Sequence, residues 1–232
     1  MKREILLTSD GSTTIHLPDW NEQYHSKHGA IQEAYHVFIK SGFELFCHSD
    51  EKEKDHESIS ILEIGFGTGL NAFITFLEGI KNHKKIEYVG VEAYPVVSNE
   101  VQKLNYVSEL KATEHEAVFD KMHAVTWDEK HQISADFILT KRKQFFEEIE
   151  DENKFNLIYF DAFGATNQPE LWTETIFLKM YKALKENGVL VTYAAKGSVR
   201  RAMQTVGFTV ERLAGPPGKR EMLRATKKVS IG

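Results

Sequence analysis

Three carboxylates stand where strand-like runs give out: Glu63 in "ILEIGFGTGLN", Glu92 closing "YVGVE" and Asp161 closing "FNLIYFD". Glu63 precedes Gly65, Gly67 and Gly69, which fall at alternate positions before a helical pattern. Glycines there allow a tight turn with positive φ and let the backbone approach a ligand closely. A dinucleotide loop spaces its glycines G-x-G-x-x-G and lays a pyrophosphate on the helix N-terminus. The spacing here is G-x-G-x-G. A carboxylate beside such a loop repels a pyrophosphate and suits a cationic amino-acid ligand. Glu92 is placed to accept hydrogen bonds from both hydroxyls of a ribose. Asp161 opens onto "AFGATNQPELW", a stretch rich in turn formers. There it can face a ligand at the strand end, or simply cap a turn through its side chain.

The elements that must position these groups read as an alternating series. "EILLTSDGSTTIHL" gives two short strands joined around Asp10-Gly11,. Ile31, Ala34, Tyr35 and Phe38 mark one face of a helix from Ala30 to about Phe46,. "SISILEIG" is a strand, "LNAFITFLEGI" a helix and "KIEYVGVEA" a strand, with a helix from Pro95 onward. An amphipathic segment at 113–123 and a strand at 136–140 precede the strand at 155–160, and a helix spans about 170–185. "GVLVTYAA", "SVRRAMQTV", "FTVERLAG" and "KREMLRAT" then give strand, helix and a terminal strand pair. Strands alternating with helices predict an α/β fold whose mostly parallel sheet is covered on both faces, its last strand inserted antiparallel. Such a sheet binds its ligand at the carboxyl ends of the strands, where strand order reverses. Residues 1–58 form a hairpin-and-helix extension on a domain spanning 59–232 in this reading.

Composition narrows the classes. The chain has 232 residues, 41% of them hydrophobic, enough for a full core,. No apolar run is long enough to span a membrane, and "MKREILLTSDGS" lacks the apolar centre and cleavage site of a signal peptide,. With the single cysteine Cys47, no internal disulfide forms, which fits a reducing compartment,. His25, His28 and His36 do not fall in a metal-ligand spacing, so no metal is expected,. The charged segment 48–58 reads as a solvated loop,. The net charge of −5 hides nine basic against two acidic residues from Leu190 onward. A local basic face of that kind serves nucleic-acid binding or is an ordinary basic hairpin.

Glu63, the glycine loop and Glu92 together resemble the S-adenosylmethionine-dependent methyltransferase superfamily, with its Rossmann-like class I fold. That cofactor carries an α-amino group and a sulfonium, and no phosphate. The resemblance implies a cofactor site at Glu63, Gly65, Gly67, Gly69, Asn71 and Glu92, bordered by Asp161. Many such enzymes have an Asp after the fourth strand that contacts the adenine amine. Here Lys143-Gln144 stands at that place, leaving the contact to Gln144 or to a backbone carbonyl.

Further blocks narrow the resemblance. "YHSKHGAIQEAYHVFI", "LEIGFGTGLN", "FDAFGATNQPELWT", "GSVRRAMQTVGF" and "GPPGKREML" occur in this order. They closely resemble the methyltransferase half of the MnmC family of bacterial tRNA-modifying enzymes and its stand-alone, MnmD-like relatives. The likeness covers almost the whole chain, weakest at 48–58 and 106–140. It implies transfer of a methyl group from S-adenosylmethionine to the amine of 5-aminomethyl-2-thiouridine at the tRNA wobble position, in the cytoplasm. The chain departs from two-domain members by ending at 232, so no FAD and no flavin-dependent oxidase are expected, and other enzymes must install the aminomethyl group.

The resemblance also assigns Asp161 as the catalytic carboxylate, and Tyr24 and Ser26 to the methionine part of the cofactor, although Ser26 equally reads as a helix N-cap. Phe163 is expected on the uracil ring and Trp172 in the core, and Asn167 lies in a loop loosely similar to the Asn/Asp-Pro-Pro-Tyr loops of other amine methyltransferases. Arg200 and Arg201 gain nothing from the dipole of the helix they open. With Lys219 and Arg220 they are expected to hold the anticodon stem-loop of tRNA, with no membrane partner and the protein a monomer. The alternatives are methylation of another RNA nucleoside or small amine, an aminopropyltransferase, a non-catalytic RNA-binding module and a nicotinamide oxidoreductase. An aminopropyltransferase would carry a Gly-Gly-Gly-Asp-Gly type loop, which this sequence lacks.

Overall fold

The computed structural model describes residues 2–47 and 58–228, so the acidic segment, all but its last residue, lies outside the described residues. An N-terminal sheet of β1 (Glu4–Leu7), β2 (Thr13–Leu17) and β3 (Glu22–Gln23) leads into α1 (Ala30–Ala34). The main chain path then runs β4 (Ile59–Ile64), α2 (Leu70–Lys81), β5 (Ile86–Val91), the short helices α3 (Ser98–Val101) and α4 (Tyr106–Glu109), and α5 (Glu116–Ala124). It continues through β6 (Lys130–Ser134), β7 (Phe137–Arg142), β8 (Phe155–Phe160), α6 (Glu174–Ala183), β9 (Leu184–Thr192), α7 (Gly197–Thr205), β10 (Thr209–Ala214) and β11 (Glu221–Thr226).

The eight-stranded sheet has the order β10-β11-β9-β8-β4-β5-β7-β6. The five strands from β9 to β7 are mutually parallel, while β6 and β11 pair antiparallel with their neighbours. β11 inserts between β9 and β10, as the terminal strand pair predicts. The chain starts at β4, grows one way through β5 and β7, then returns to place β8 on β4's other side. That reversal opens a crevice at the carboxyl ends of β4 and β8. The central strands are buried on both faces, which explains apolar runs such as "LIYF" without alternation,. One core cluster joins Ala34, Phe38 and Phe43 of the N-terminal segment to Ile61, Tyr88 and Val191 of the sheet. A second, on the opposite face, gathers Leu62, Ile158, Phe177 and Met203.

Several elements differ from the sequence reading. The helix expected from Ala30 to Phe46 keeps α-geometry only to Ala34, widens into a π-turn stretch over Tyr35–Lys40, and resumes as a 3₁₀ turn at Phe43–Phe46. Gly42 lets this segment press on the sheet: a β-carbon there would lie 2.7 Å from the Phe38 carbonyl and 3.1 Å from Val191. The helix expected from Pro95 starts at Ser98, because Val97 is held extended. The helix expected at 170–185 begins with a 3₁₀ turn, Pro169–Trp172, before Thr173 caps α6. β6 was missed because its "KHQIS" buries Ile133 alone, an edge pattern with little apolar signal.

Candidate functional site

Three backbone contacts bring the carboxylates together. The Gly65 and Phe66 N–H groups both donate to the Val91 carbonyl at 3.0 Å, and the Asp161 N–H donates to the Ile64 carbonyl at 2.9 Å. The glycine loop, the end of β5 and the end of β8 are thereby held side by side. The loop needs its glycines: Gly65, Gly67 and Gly69 have φ of 90°, 49° and 72°. A β-carbon on Gly65 would sit 2.7 Å from the Asp161 carbonyl oxygen.

Beyond these strand ends opens a cavity of about 290 Å³, lined by Tyr24, Gly65, Gly67, Asn71, Glu92, Asp161 and Phe163 among others. The Glu92 carboxylate accepts the Gly67 N–H at 3.0 Å through one oxygen and the Tyr94 N–H at 2.9 Å through the other. It is thus oriented by backbone while keeping lone pairs for a ligand. Asn71 clamps the other two acids, its Nδ2 donating to Glu63 Oε1 and Asp161 Oδ2, each at 2.9 Å. Glu63 is fully buried behind it. Burial, with Asp161 and Glu92 adding like charge, pushes the Glu63 carboxyl well above the usual range against the help of Asn71. Burial is also the main cause that lifts Asp161 from 3.8 to about 7, with Glu33 adding to it and Asn71 and Lys219 opposing,. Among the described residues, Asn71 is the one hydrogen-bond donor to the Asp161 carboxylate, and no backbone N–H reaches it. Asp161 therefore caps no turn.

The chemistry of this donor set fits S-adenosylmethionine. Among the described residues Asn71 Oδ1 and Glu63 Oε2 are buried acceptors without a hydrogen-bond partner; Asn71 lines the cavity and suits an ammonium or sulfonium neighbourhood, while Glu63, expected in the lining, lies behind it,. The lining cation, Arg3, has its guanidinium engaged by the Tyr94 and Pro95 carbonyls and by Glu100, leaving it poorly placed to grip a pyrophosphate. Burial lowers His25 to about 4, so it lines the cavity as a neutral ring hydrogen-bonded to Thr14. Among the described residues no cluster of His, Cys, Asp or Glu could hold a metal ion, and no helix is long and apolar enough to cross a membrane.

Other expected residues divide. Phe163 lines the cavity with its ring edge-on to Tyr24, 5.1 Å between centroids. Trp172 is buried and donates to the Phe163 carbonyl at 2.8 Å, steadying that loop from the core. Ser26 is outside the lining; its N–H donates to Glu33 and its hydroxyl accepts the His28 N–H. Gln144 is also outside it, while its neighbours Phe145, Phe146 and Glu147 are inside. Asn167 is exposed and hydrogen-bonded to Glu22. Arg200 and Arg201 fall where the first turn of α7 meets the second; Arg201 and Arg220 are exposed, and Arg200 is partly buried. Lys219 differs from the expected surface cation. Its Nζ turns inward to Glu33, at 2.7 Å, and lies 3.7 Å from the centre of the Tyr193 ring.

Sequence reasoning missed Arg3, Trp20, His25, Glu33, Tyr94 and Phe145. Glu33 was hidden because it occupies an ordinary helical position, and its burial, to 7% exposed, belongs to the tertiary fold in which Lys219 meets it. The aromatic residues Trp20, Tyr94 and Phe145 carried no periodic signal, yet they rim the cavity, Tyr94 edge-on to Phe145 at 6.0 Å.

Comparison with known proteins bears on the same site. Residues 102–228 match the family described as S-adenosyl-L-methionine-dependent methyltransferase, more than half of the chain. A protein of Actinobacillus pleuropneumoniae named tRNA 5-methylaminomethyl-2-thiouridine biosynthesis bifunctional protein MnmC is 27% identical over 240 residues, covering 95% of this chain and 35% of its own. The chain thus spans about a third of the length of the curated relatives it matches. The crystal structure of MNMC2 from Aquifex aeolicus superposes with a TM-score of 0.78 at 25% identity, covering 98% of this chain and 71% of that one. Spermidine synthase from Thermotoga maritima superposes at 0.52 with 15% identity over 99% of this chain and 73% of its own, a likeness of fold alone.

Proposed function

The chain belongs to the S-adenosyl-L-methionine-dependent methyltransferase family, and from that premise we propose that it methylates the primary amine of 5-aminomethyl-2-thiouridine at the wobble position of tRNA, giving 5-methylaminomethyl-2-thiouridine. The observation that carries this reading is Asp161, a carboxyl at the end of β8 that lines an acid-rich cavity, is held by Asn71 and is lifted by burial to about 7. The curated relatives named for 5-methylaminomethyl-2-thiouridine biosynthesis point to the same substrate.

The cofactor, when bound, supplies an electrophilic methyl group on a sulfonium. The residues of this chain do the rest. Glu92 would accept the ribose hydroxyls, and Asn71 Oδ1, with Glu63 holding its amide from behind, would meet the cationic amino-acid end. A free alkylamine is protonated near neutral pH, with a pKa of ~10 by analogy with lysine, and an ammonium has no lone pair to give. Asp161 draws that ammonium to the cavity, orients its nitrogen and receives its proton, directly or through water. A group titrating near the working pH is suited to accept a proton and release it again, so burial of Asp161 serves the chemistry. Holding both reactants in one cavity supplies much of the remaining rate.

Phe163, fixed between Trp20 and Tyr24, offers a surface for a base splayed from its stack. Arg200, Arg201 and Arg220 supply phosphate contacts on the outside. The protein acts in the cytoplasm as a monomer in this reading, and the methyl transfer itself calls for no FAD and no metal.

Nucleoside mass spectrometry of tRNA from a strain lacking the gene tests the proposal. The 5-aminomethyl nucleoside should accumulate and the methylaminomethyl product disappear; an unchanged wobble profile would refute it.

A further inference from the structure

The N-terminal segment and the C-terminal hairpin meet near Asp161. The turn between β10 and β11 brings Lys219 inward, and α1 of the N-terminal segment brings Glu33 to meet it. Lys219 Nζ lies 2.7 Å from Glu33 Oε1. Glu33 is 7% exposed, and its other oxygen accepts the Ser26 N–H at 2.8 Å. The Lys219 ammonium rests on the Tyr193 ring, 3.7 Å from its centre, and the Tyr193 hydroxyl donates to the Ala162 carbonyl, next in sequence to Asp161. An ammonium so placed gives up part of its water for one carboxylate and one aromatic face, with a third of the side chain still exposed,. Its charge is already matched by Glu33, which sets it apart from an unpaired surface cation.

We propose that Lys219 and Glu33 are a positioning pair that ties the C-terminal hairpin to the N-terminal segment and sets the charge Asp161 presents to the substrate amine. This inference rests on the amine-methylation reading above. The groups facing Asp161 from its neighbours are Glu63 of β4, Asn71 of α2, Glu33 of α1, Tyr193 after β9 and Lys219 of the hairpin turn, with Tyr88 of β5 behind Glu63. Lys219 supplies the positive charge in that set. Glu33 raises the proton affinity of Asp161 and Lys219 lowers it, so the pair is a balance whose two halves act with opposite sign.

That opposition gives a test which loss of structure cannot imitate. Single-turnover methyl transfer to tRNA bearing 5-aminomethyl-2-thiouridine, at saturating cofactor and tRNA, yields the midpoint of the acid limb of the pH–rate profile. Lys219→Met leaves Glu33 unopposed and should move the midpoint up by about one pH unit; Glu33→Gln should move it down by more, since Glu33 acts on Asp161 more strongly than Lys219 does,. The double variant should lie between the two single variants and below the wild-type midpoint, and Lys219→Arg should keep that midpoint. The salt slope of tRNA binding should be the same for Lys219→Met and wild type, because no phosphate contact is lost. Unmoved midpoints, shifts of both single variants in one direction, or a salt slope shallower by about one in Lys219→Met would each overturn the inference. Failure of the wild-type protein to methylate this tRNA would strike the parent reading instead. If either single variant does not fold, the double variant and Lys219→Arg decide: the inference falls if the double variant's midpoint is not below that of the wild type or if Lys219→Arg departs from it.

Discussion

Asparagine at position 161 keeps the shape of the carboxylate, and its carbonyl can still accept from Asn71, which now donates to Asp161 at 2.9 Å. What it removes is a charge that the folded protein holds at a cost. Asp161 titrates near 3.8 when unperturbed and near 7 here. A carboxyl raised on folding does not oppose folding below its unfolded value; stability then falls as pH climbs towards the folded value and stays reduced above it. The gap of roughly three pH units corresponds to on the order of 4 kcal/mol. Asp161→Asn should therefore be more stable than wild type above about pH 8, by about ten degrees in melting temperature for a chain of this size. Below about pH 4 the two should unfold alike. The same variant should bind cofactor and tRNA yet turn over about 10²–10⁴-fold more slowly at neutral pH, losing the acid limb centred near 7,. Part of the lost rate should return as pH rises, when hydroxide generates the free amine. Melting curves across the pH range and single-turnover rates measure both effects. A lower melting temperature at every pH, or near-wild-type turnover at neutral pH, would refute the assignment of Asp161 as a buried proton acceptor.

Other substitutions probe the rest of the site. Glu92→Ala strips the acceptor from the Gly67 and Tyr94 N–H groups as well as from the ribose, and should cost cofactor affinity about 1–3 kcal/mol; unchanged affinity by calorimetry would remove Glu92 from the site. Gly65→Ala puts a β-carbon 2.7 Å from the Asp161 carbonyl at a φ of +90° and should destabilise the fold by about 1–3 kcal/mol; wild-type denaturation midpoints would show that the loop has slack. Removing Arg200, Arg201 and Arg220 together should weaken tRNA binding and flatten its salt dependence while sparing cofactor affinity, and an unaltered slope would place the RNA elsewhere.

The alternating order of strands and helices, the glycine loop and the acidic strand ends were legible in the chain because each is a local signal. Hydrophobic period, turn chemistry and a carboxylate at the end of an apolar run all lie within a dozen residues of one another. They were enough to anticipate the parallel sheet, its antiparallel C-terminal pair and the group of Gly65, Asn71, Glu92 and Asp161 that lines one cavity. Polar edge strands such as β6, and the yielding of α1 into a π-turn stretch against β9, left no such local mark. The fate of Lys219 was the clearest case. In sequence it extends a run of basic residues, and charge counting places it on the surface. Its partner Glu33 lies 186 positions away, and only the packing of the C-terminal hairpin on the N-terminal segment brings the two together. Local physics determined which residues could do the chemistry. Long-range packing decided how strongly burial would raise Asp161 and which cation would face it, because desolvation and Coulomb interaction depend on neighbours in space.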